Sequence, residues 1–255
     1  MRRILTVVGS VVIAVIMAVG YVLVDDWLGT DSGKDSGSTS APAPAPVPAG
    51  ELTGLLAQVK VAPELPMTGY SREQFPHWDL NTPEHGFGPE FAQYGRCTTR
   101  DVMMLRDAVG NVQLDPKTCA LKVGSGGGWQ DEYGFIDRNT GALKPYKFMT
   151  ASKDVDAEHI VPLAEAWRSG ASKMDEATRR NIANDAVNLV AADPSANRSK
   201  GDQDAANYLP PGKFRCTYVD HYLQVKVKYG LAVDSAEQAA LRTAVDDCIR
   251  QGGAA

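Results

Sequence analysis

Four residues in the second half of the chain have side chains and spacings that suit the hydrolysis of a phosphate ester. Glu158 stands directly before His159, Asn188 follows 29 residues after the histidine, and Asn197 follows nine residues later. An imidazole that is neutral near pH 7 can accept the proton of an attacking water. Carboxylate and amide oxygens can hold a divalent cation, which stabilises the negative charge gathering on the phosphate. These residue types predict cation-dependent hydrolysis of phosphodiester bonds.

Short strands and helices must hold these residues in place. A strand is predicted near 154–160, and 187–192 is predicted to be a second strand or an extended segment. Between them, Pro162 opens a short helix that Gly170 closes, and a longer helix is predicted over 174–184. His159 then lies near the end of the first strand. Asn188 lies at the start of the second strand, and Asn197 follows that strand.

These motifs resemble the HNH, or ββα-metal, endonuclease family, and in particular its exported bacterial branch related to the C-terminal domain of GmrSD-type restriction enzymes. The likeness rests on EHIVP at 158–162, NLV at 188–190 and NRSK at 197–200, and it extends more loosely over 94–216. A similar pattern occurs in the HNH domain of RNA-guided CRISPR nucleases. The resemblance implies an α+β fold, in which a ββα-metal HNH finger is embedded in a mostly helical, disulfide-stapled single domain.

The resemblance also implies a role for each of the four residues. His159 would be the general base that activates water. Asn188 would either orient His159 through a hydrogen bond or support the loop. Glu158 and Asn197 would coordinate one divalent cation, Mg²⁺ first and Mn²⁺ as an alternative.

Two basic residues are also expected at the site, and one expected ligand differs from the family pattern. Arg198 or Lys200 is expected to contact the scissile phosphate or a neighbouring one. The family usually has aspartate where this chain has Glu158, and the longer side chain displaces a carboxylate that octahedral Mg²⁺ needs in a defined position. Asp156 lies two residues earlier on the same strand face and is a candidate ligand or support.

The N-terminal segment 1–28 predicts export. Arg2 and Arg3 precede 21 uncharged, mostly apolar residues at 4–24, a length that just crosses the hydrocarbon core as a helix. The positive flank places the N-terminus inside and the rest of the chain outside. The segment is interpreted as a signal anchor, with a signal peptide cleaved after Ala18 and Gly20 as the alternative. Both place the remaining chain outside the cytoplasm.

A linker separates this segment from the folded part. Residues 29–50 are rich in Gly and Ser and then in Ala and Pro, a composition that cannot bury a core. The nuclease domain is therefore expected over 51–255, with its core motif at 154–202 and little regular structure in 51–95. A net charge of -5 argues against a protein that coats nucleic acid through bulk charge, although an enzyme can still bind a few phosphates locally.

The four cysteines predict two disulfides. No CxxC pair is present, which disfavours a zinc knuckle, and an even count behind an export signal is typical of disulfide bonding. Three connectivities are possible, with four buried free thiols as a further alternative. Pairing of neighbours along the chain is preferred, which joins Cys97 to Cys119 and Cys216 to Cys248.

Other elements follow from caps and periodicity. A helix is predicted from Thr98 through 109 with Gly110 ending it, and two strands at 119–123 and 129–136 flank a glycine-rich turn. Aromatic and aliphatic residues at helical spacing predict a helix over 214–229. Ser235 with Gln238 is predicted to cap a last helix that Gly252 ends.

The predicted function is an HNH endonuclease acting outside the cytoplasm on nucleic acid, with DNA as the preferred substrate. The alternative is a non-catalytic extracellular DNA-binding module on a degenerate HNH scaffold. The sequence contains neither HExxH nor GxSxG, which leaves an extracellular peptidase or lipase without support. Strand preference, biological purpose and oligomeric state are left open.

Overall fold

The computed structural model describes residues 48–137 and 139–251. The predicted export segment 1–28, residues 29–47 of the predicted linker and the predicted stop at Gly252 lie outside these residues. Within the described part, no helix combines the length and the apolar character that crossing a bilayer requires.

The fold is α+β, as expected, with helices and several short strands distributed along the described residues. The helices are α1 (Ala49–Gln58), α2 (Thr99–Arg106), α3 (Leu163–Arg168), α4 (Glu176–Asn184), α5 (Pro194–Lys200), α6 (Arg215–Lys228) and α7 (Ser235–Arg250). The strands are β1 (Lys60–Val61), β2 (Ala108–Val109), β3 (Val112–Leu114), β4 (Leu121–Val123), β5 (Gly128–Gln130), β6 (Phe148–Met149), β7 (Asp156–His159), β8 (Leu189–Ala192) and β9 (Ala232–Val233). Short 3₁₀ turns lie at Arg72–Gln74, Pro83–His85, Pro89–Tyr94, Ser152–Asp154 and Ala171–Lys173.

The antiparallel pair β7–β8 and the helix that follows it form a ββα unit. Glu158 is opposite Val190, and His159 is opposite Leu189. Asp193 ends the second strand and caps α5, because its carboxylate accepts hydrogen bonds from the backbone N–H groups of residues 195 and 196. The unit therefore brings the two predicted strands and the NRSK helix together, as the sequence predicts.

Strand β8 lies between two hydrophobic cores. Val190 and Ala192 pack into a core built mainly on α3, α4, α6 and α7, whereas Leu189 and Ala191 pack into a core built on α2 and Trp129. Alternate residues of a strand point to opposite faces, so a strand covered on both faces is continuously apolar. This explains the sequence LVAA. Packing on both faces also means that strand β8, which pairs with the strand that carries His159, is rigidly held.

Helix α1 corrects the expectation of an irregular segment over 51–95. It begins at Ala49, two residues inside the predicted linker, and Leu52, Leu55 and Leu56 pack against the core formed with α6 and α7. Its apolar residues lie at positions i, i+3 and i+4, which is a helical face, but the preceding Ala-Pro run and Gly54 obscure the pattern. The remainder of 59–95 consists largely of loops and 3₁₀ turns, as expected.

Helix α2 begins where the sequence predicts but ends earlier. Thr98 and Asp101 form a reciprocal capping box. The helix stops at Arg106 rather than at 109, because Ala108 and Val109 pair with the strand at 128–129 instead.

The two strands predicted around the glycine-rich turn are present in shortened form but do not pair with each other. Strand β4 pairs with β3, and β5 lies between β2 and β6. Each of these strands therefore has its partner elsewhere in the chain, and the glycine-rich turn between them does not close a hairpin.

Both predicted disulfides are confirmed: Cys97 is bonded to Cys119, and Cys216 is bonded to Cys248. The second one joins α6 to α7. The cap of α7 lies one residue earlier than predicted, with Asp234 and Glu237 forming the capping box.

Candidate active site

The end of β7, the helix α5 and the 3₁₀ turn at 72–74 surround a cavity of about 320 Å³. Four predicted site residues belong to its lining: Glu158, His159, Asn197 and Arg198. Arg72 and Asp202 line it as well. The structure thus brings together the expected base, the two expected cation ligands and one of the two expected phosphate contacts.

His159 is buried at the end of β7, and one of its ring nitrogens forms a hydrogen bond with the backbone. Nε2 lies 2.9 Å from the carbonyl oxygen of Ala183, which can only accept, so Nε2 carries the proton of the neutral ring. Among the residues that the structure describes, no group bonds Nδ1, so this atom of a cavity-lining residue is an acceptor without a protein partner. Burial lowers the pKa of His159 to about 3, although the Ala183 carbonyl opposes the shift. The imidazole is therefore neutral near pH 7, the state in which Nδ1 can accept a proton.

Asn188 holds the backbone around His159 rather than the imidazole. Its Oδ1 accepts a hydrogen bond of 2.8 Å from the N–H of Val161, and its Nδ2 donates one of 2.9 Å to the carbonyl of Ile182. Its own carbonyl accepts from the N–H of Ile160 at 2.8 Å. Of the two expected roles, loop support is the one that these bonds represent. The ring of His159 is oriented by Ala183 instead.

Lys200 is engaged with the two residues at the end of β7. Its ammonium group is fully buried, forms an ion pair with the carboxylate of Glu158, and donates a 2.8 Å hydrogen bond to the carbonyl of His159. The expected phosphate contact by Lys200 is therefore corrected: its charge is already paired inside the protein and does not line the cavity. Burial raises the pKa of Glu158, and the ion pair with Lys200 opposes this rise.

Two side chains that line the cavity, Glu158 and Asn197, offer the kind of oxygen atom that a hard divalent cation prefers. Asn197 is half-buried on α5, and its Nδ2 donates a 3.0 Å hydrogen bond to Oδ2 of Asp156, so Oδ1 of the amide is not used in that bond. Asp156 lies on the same face of β7 as Glu158, which lines the cavity with Asn197. Carboxylate and amide oxygens are the ligands that Mg²⁺ prefers. Glu158 and Asn197 would hold the cation, with Asp156 positioning the amide.

Two arginines bring positive charge to the same cavity. Arg198 is exposed on α5, as a phosphate contact requires. Arg72 also lines the cavity, and sequence reasoning missed it, because it belongs to no motif and lies far from His159 along the chain. Its neighbours gave no helical or strand periodicity, and we find no sequence signal that would have identified it.

A second group of acidic side chains is not part of the cavity lining and is tied together by ion pairs. Carboxylate oxygens of Glu64, Glu165 and Asp204 lie within 4.8 Å of one another. Arg168 forms ion pairs with both glutamates, and the buried ammonium of Lys226 lies 2.7 Å from Glu165. Glu165 of this cluster is therefore already paired with positive side chains inside the protein, as Glu158 is with Lys200. We favour the site at β7 and α5 because Glu158 lines the same cavity as Asn197 and the expected base.

Comparisons with known proteins match the part of the chain that contains most of the cavity-lining residues. The family model described as GmrSD restriction endonucleases, C-terminal domain, matches residues 99–244. The chain is also similar to an "Uncharacterized secreted protein" of Arthroderma benhamiae (strain ATCC MYA-4681 / CBS 112371), with 37% identity over 197 residues, which are 76% of this chain and 83% of that protein. No solved structure matches the chain. The family match includes Glu158, His159 and Asn197, whereas Arg72 lies before it.

Proposed function

Because the chain belongs to the family of GmrSD restriction endonuclease C-terminal domains, we propose that it is an HNH endonuclease that hydrolyses phosphodiester bonds with one divalent cation. The proposed substrate is nucleic acid, and DNA in the first place. The family supports a nuclease-type domain, and the side chains of the cavity support the chemistry.

One observation carries the proposal: His159, whose Nδ1 has no partner among the described residues, lines the same cavity as Glu158 and Asn197, whose side-chain oxygens are of the type that a hard cation prefers. In this mechanism, Nδ1 of His159 accepts the proton of a water as that water attacks phosphorus. The Ala183 carbonyl keeps the Nε2–H in place and favours the positive charge that the ring then gains. Arg198 binds a non-bridging phosphate oxygen.

A bound cation would be held by Glu158 and Asn197, and when bound it stabilises negative charge on the phosphate and on the leaving oxygen. The ammonium of Lys200 fixes Glu158, while Asp156 fixes the amide of Asn197 through its Nδ2. Mg²⁺ is the proposed metal, with Mn²⁺ as the alternative, since both accept oxygen ligands.

Several features support a location outside the cytoplasm. The relative is a secreted protein, and both disulfides are of the kind that persists in oxidising compartments. We propose that segment 1–28 directs export and either remains as an anchor or is cleaved, and that a linker joins it to one nuclease domain. The domain would span the predicted 51–255, extended at its start by the first residues of α1.

The test is an assay of the purified full chain on supercoiled plasmid with Mg²⁺, with Mn²⁺ and with excess EDTA. The proposal predicts nicked and linear products with either cation and none with EDTA. Cutting that persists in EDTA contradicts a cation-dependent mechanism.

The Glu158–Lys200 ion pair favours the second candidate, a DNA-binding module without catalysis. A carboxylate that is already paired with an internal ammonium is a weaker cation ligand. Binding of plasmid without cutting under both cations would select this alternative.

A further inference from the structure

We propose that Arg72 binds a phosphate of the substrate, and that the active site is therefore completed by a segment that precedes the region matched by the family. The inference rests on the proposed nuclease function and names a contact within it. The segment, residues 70–79, is called the N-terminal wall below.

The position of Arg72 is the first argument. Its side chain is exposed and lines the cavity that also contains Glu158, His159 and Asn197. Within residues 48–137 and 139–251, no acidic side chain forms an ion pair with it, in contrast to Lys200. A guanidinium group in a cavity with phosphodiester chemistry, and without an internal counter-ion, is suited to a phosphate oxygen.

Electrostatic effects agree with this position. The pKa of His159 is lowered mainly by burial, and the charge of Arg72 lowers it further. The pKa of Glu158 is raised mainly by burial, and the same charge works against that rise. Arg72 is therefore close enough to influence both the expected base and an expected ligand.

The N-terminal wall is fixed to α4, the helix that also orients the base. The guanidinium of Arg179 donates to the carbonyl of Gln74 at 2.7 Å, and Nδ2 of Asn184 donates to the carbonyl of Pro76 at 2.9 Å. The N–H of Asp79 donates in turn to Oδ1 of Asn184 at 2.8 Å. Since Ala183 precedes Asn184, the carbonyl that holds His159 and the anchor of the wall are adjacent.

Aromatic packing fixes the wall a second time. Phe75 is fully buried against Trp167. Trp78 stacks on the imidazole of His159, with ring centroids 6.0 Å apart and planes within 17°. Its backbone has φ of +62°, a left-handed conformation that bulky residues rarely adopt and that surrounding contacts must maintain. Arg72 thus extends from a rigid segment rather than from a loose surface loop.

The experiment measures binding of a fluorescein-labelled DNA duplex by anisotropy over a range of salt concentrations, in EDTA so that no cutting occurs. Arg72→Gln and Arg72→Lys are compared with the wild-type chain and with the control Arg96→Gln. Arg96 is exposed and is not among the residues that line the cavity, so the control removes the same charge elsewhere. Circular dichroism melting verifies that each variant is folded.

Arg72→Gln is expected to weaken binding about tenfold. It should also reduce the slope of log K against log salt concentration by about 0.9, the loss of one phosphate contact. Arg72→Lys should retain most of the slope, and Arg96→Gln should match the wild-type chain. Equal affinity and slope for Arg72→Gln and Arg96→Gln overturn the inference, as does a wild-type chain that binds no DNA. Normal binding by a wild-type chain that fails to cut with Mg²⁺ or Mn²⁺ contradicts the proposed catalysis alone.

Discussion

Nε2 of His159 lies 2.9 Å from the carbonyl oxygen of Ala183, a backbone atom 24 residues further along the chain. A backbone carbonyl can only accept a hydrogen bond, so it requires the proton to be on Nε2 and fixes the tautomer. The same bond also fixes the plane of the imidazole. The orientation of the base therefore depends on how α4 is held against the β7–β8 pair. Asn188 bonds both sides, since its side chain accepts from the N–H of Val161 and donates to the carbonyl of Ile182.

Asn188→Ala is predicted to reduce stability and turnover together. It removes the partners of the Val161 N–H and the Ile182 carbonyl, both bonded inside the protein. The free energy of unfolding should fall by about 1–3 kcal/mol for each buried group left without a partner. Urea titration measures this loss, and steady-state kinetics should show a lower kcat with little change in KM. Unchanged stability would mean that the asparagine does not support the loop.

Lys200→Met is predicted to be strongly destabilising. It leaves the buried carboxylate of Glu158 without its ion-pair partner, and breaking a buried pair in this way costs about 3–5 kcal/mol. The double variant Lys200→Met with Glu158→Gln should recover part of the loss, because the remaining amide carries no charge. A double-mutant cycle by urea unfolding measures the coupling.

Arg198→Gln is the matched control for the Lys200 variant. Arg198 is exposed on the same helix, so its replacement should change stability by no more than about 0.5 kcal/mol while it lowers nuclease activity. A Lys200→Met chain as stable as Arg198→Gln would show that the ion pair contributes no stability.

Glu237→Gln is predicted to change how stability depends on pH. Burial raises the pKa of Glu237 to about 7, while the nearby ammonium of Lys226 opposes the rise. The folded chain therefore binds more protons than the unfolded chain between about pH 4.5 and 7, so this residue lowers stability as pH rises through that interval. Glutamine does not titrate and can still accept the 2.5 Å hydrogen bond from the Tyr222 hydroxyl.

The difference in melting temperature between Glu237→Gln and the wild-type chain should accordingly grow in favour of the variant from pH 5 to pH 8. Glu90→Gln, a change at an exposed glutamate, serves as the control. A constant difference over this interval would contradict the raised pKa of Glu237.

The ββα unit was predictable from sequence because its signals are local. EHIVP, NLV and NRSK lie within one stretch of the chain, and the apolar run at 189–192 indicates a strand buried on both faces. The disulfides were predictable for the same reason, since each joins cysteines that are neighbours along the chain.

What was missed depends on contacts that are distant in sequence. Lys200 resembles a solvated charge in a basic helix, and only the register of α5 against β7 shows that its ammonium points at Glu158. Arg72 reaches the cavity because hydrogen bonds from α4 hold the N-terminal wall in place. The spacing of apolar residues in the sequence does not indicate such bonds. Helix α1 was hidden because its apolar face finds its partners in α6 and α7, at the other end of the chain.

The most direct test of the account compares plasmid cleavage by the wild-type chain, His159→Ala and Asn197→Ala over a range of Mg²⁺ concentrations. His159→Ala should lower kcat by about 10²–10⁴-fold while the half-saturating Mg²⁺ concentration stays unchanged, because a base is lost and the ligands remain. Asn197→Ala should raise that concentration as well as lower the rate, and His221→Ala, outside the cavity, should cut normally. Cleavage by His159→Ala at the wild-type rate would contradict the assignment of the base and the mechanism built on it.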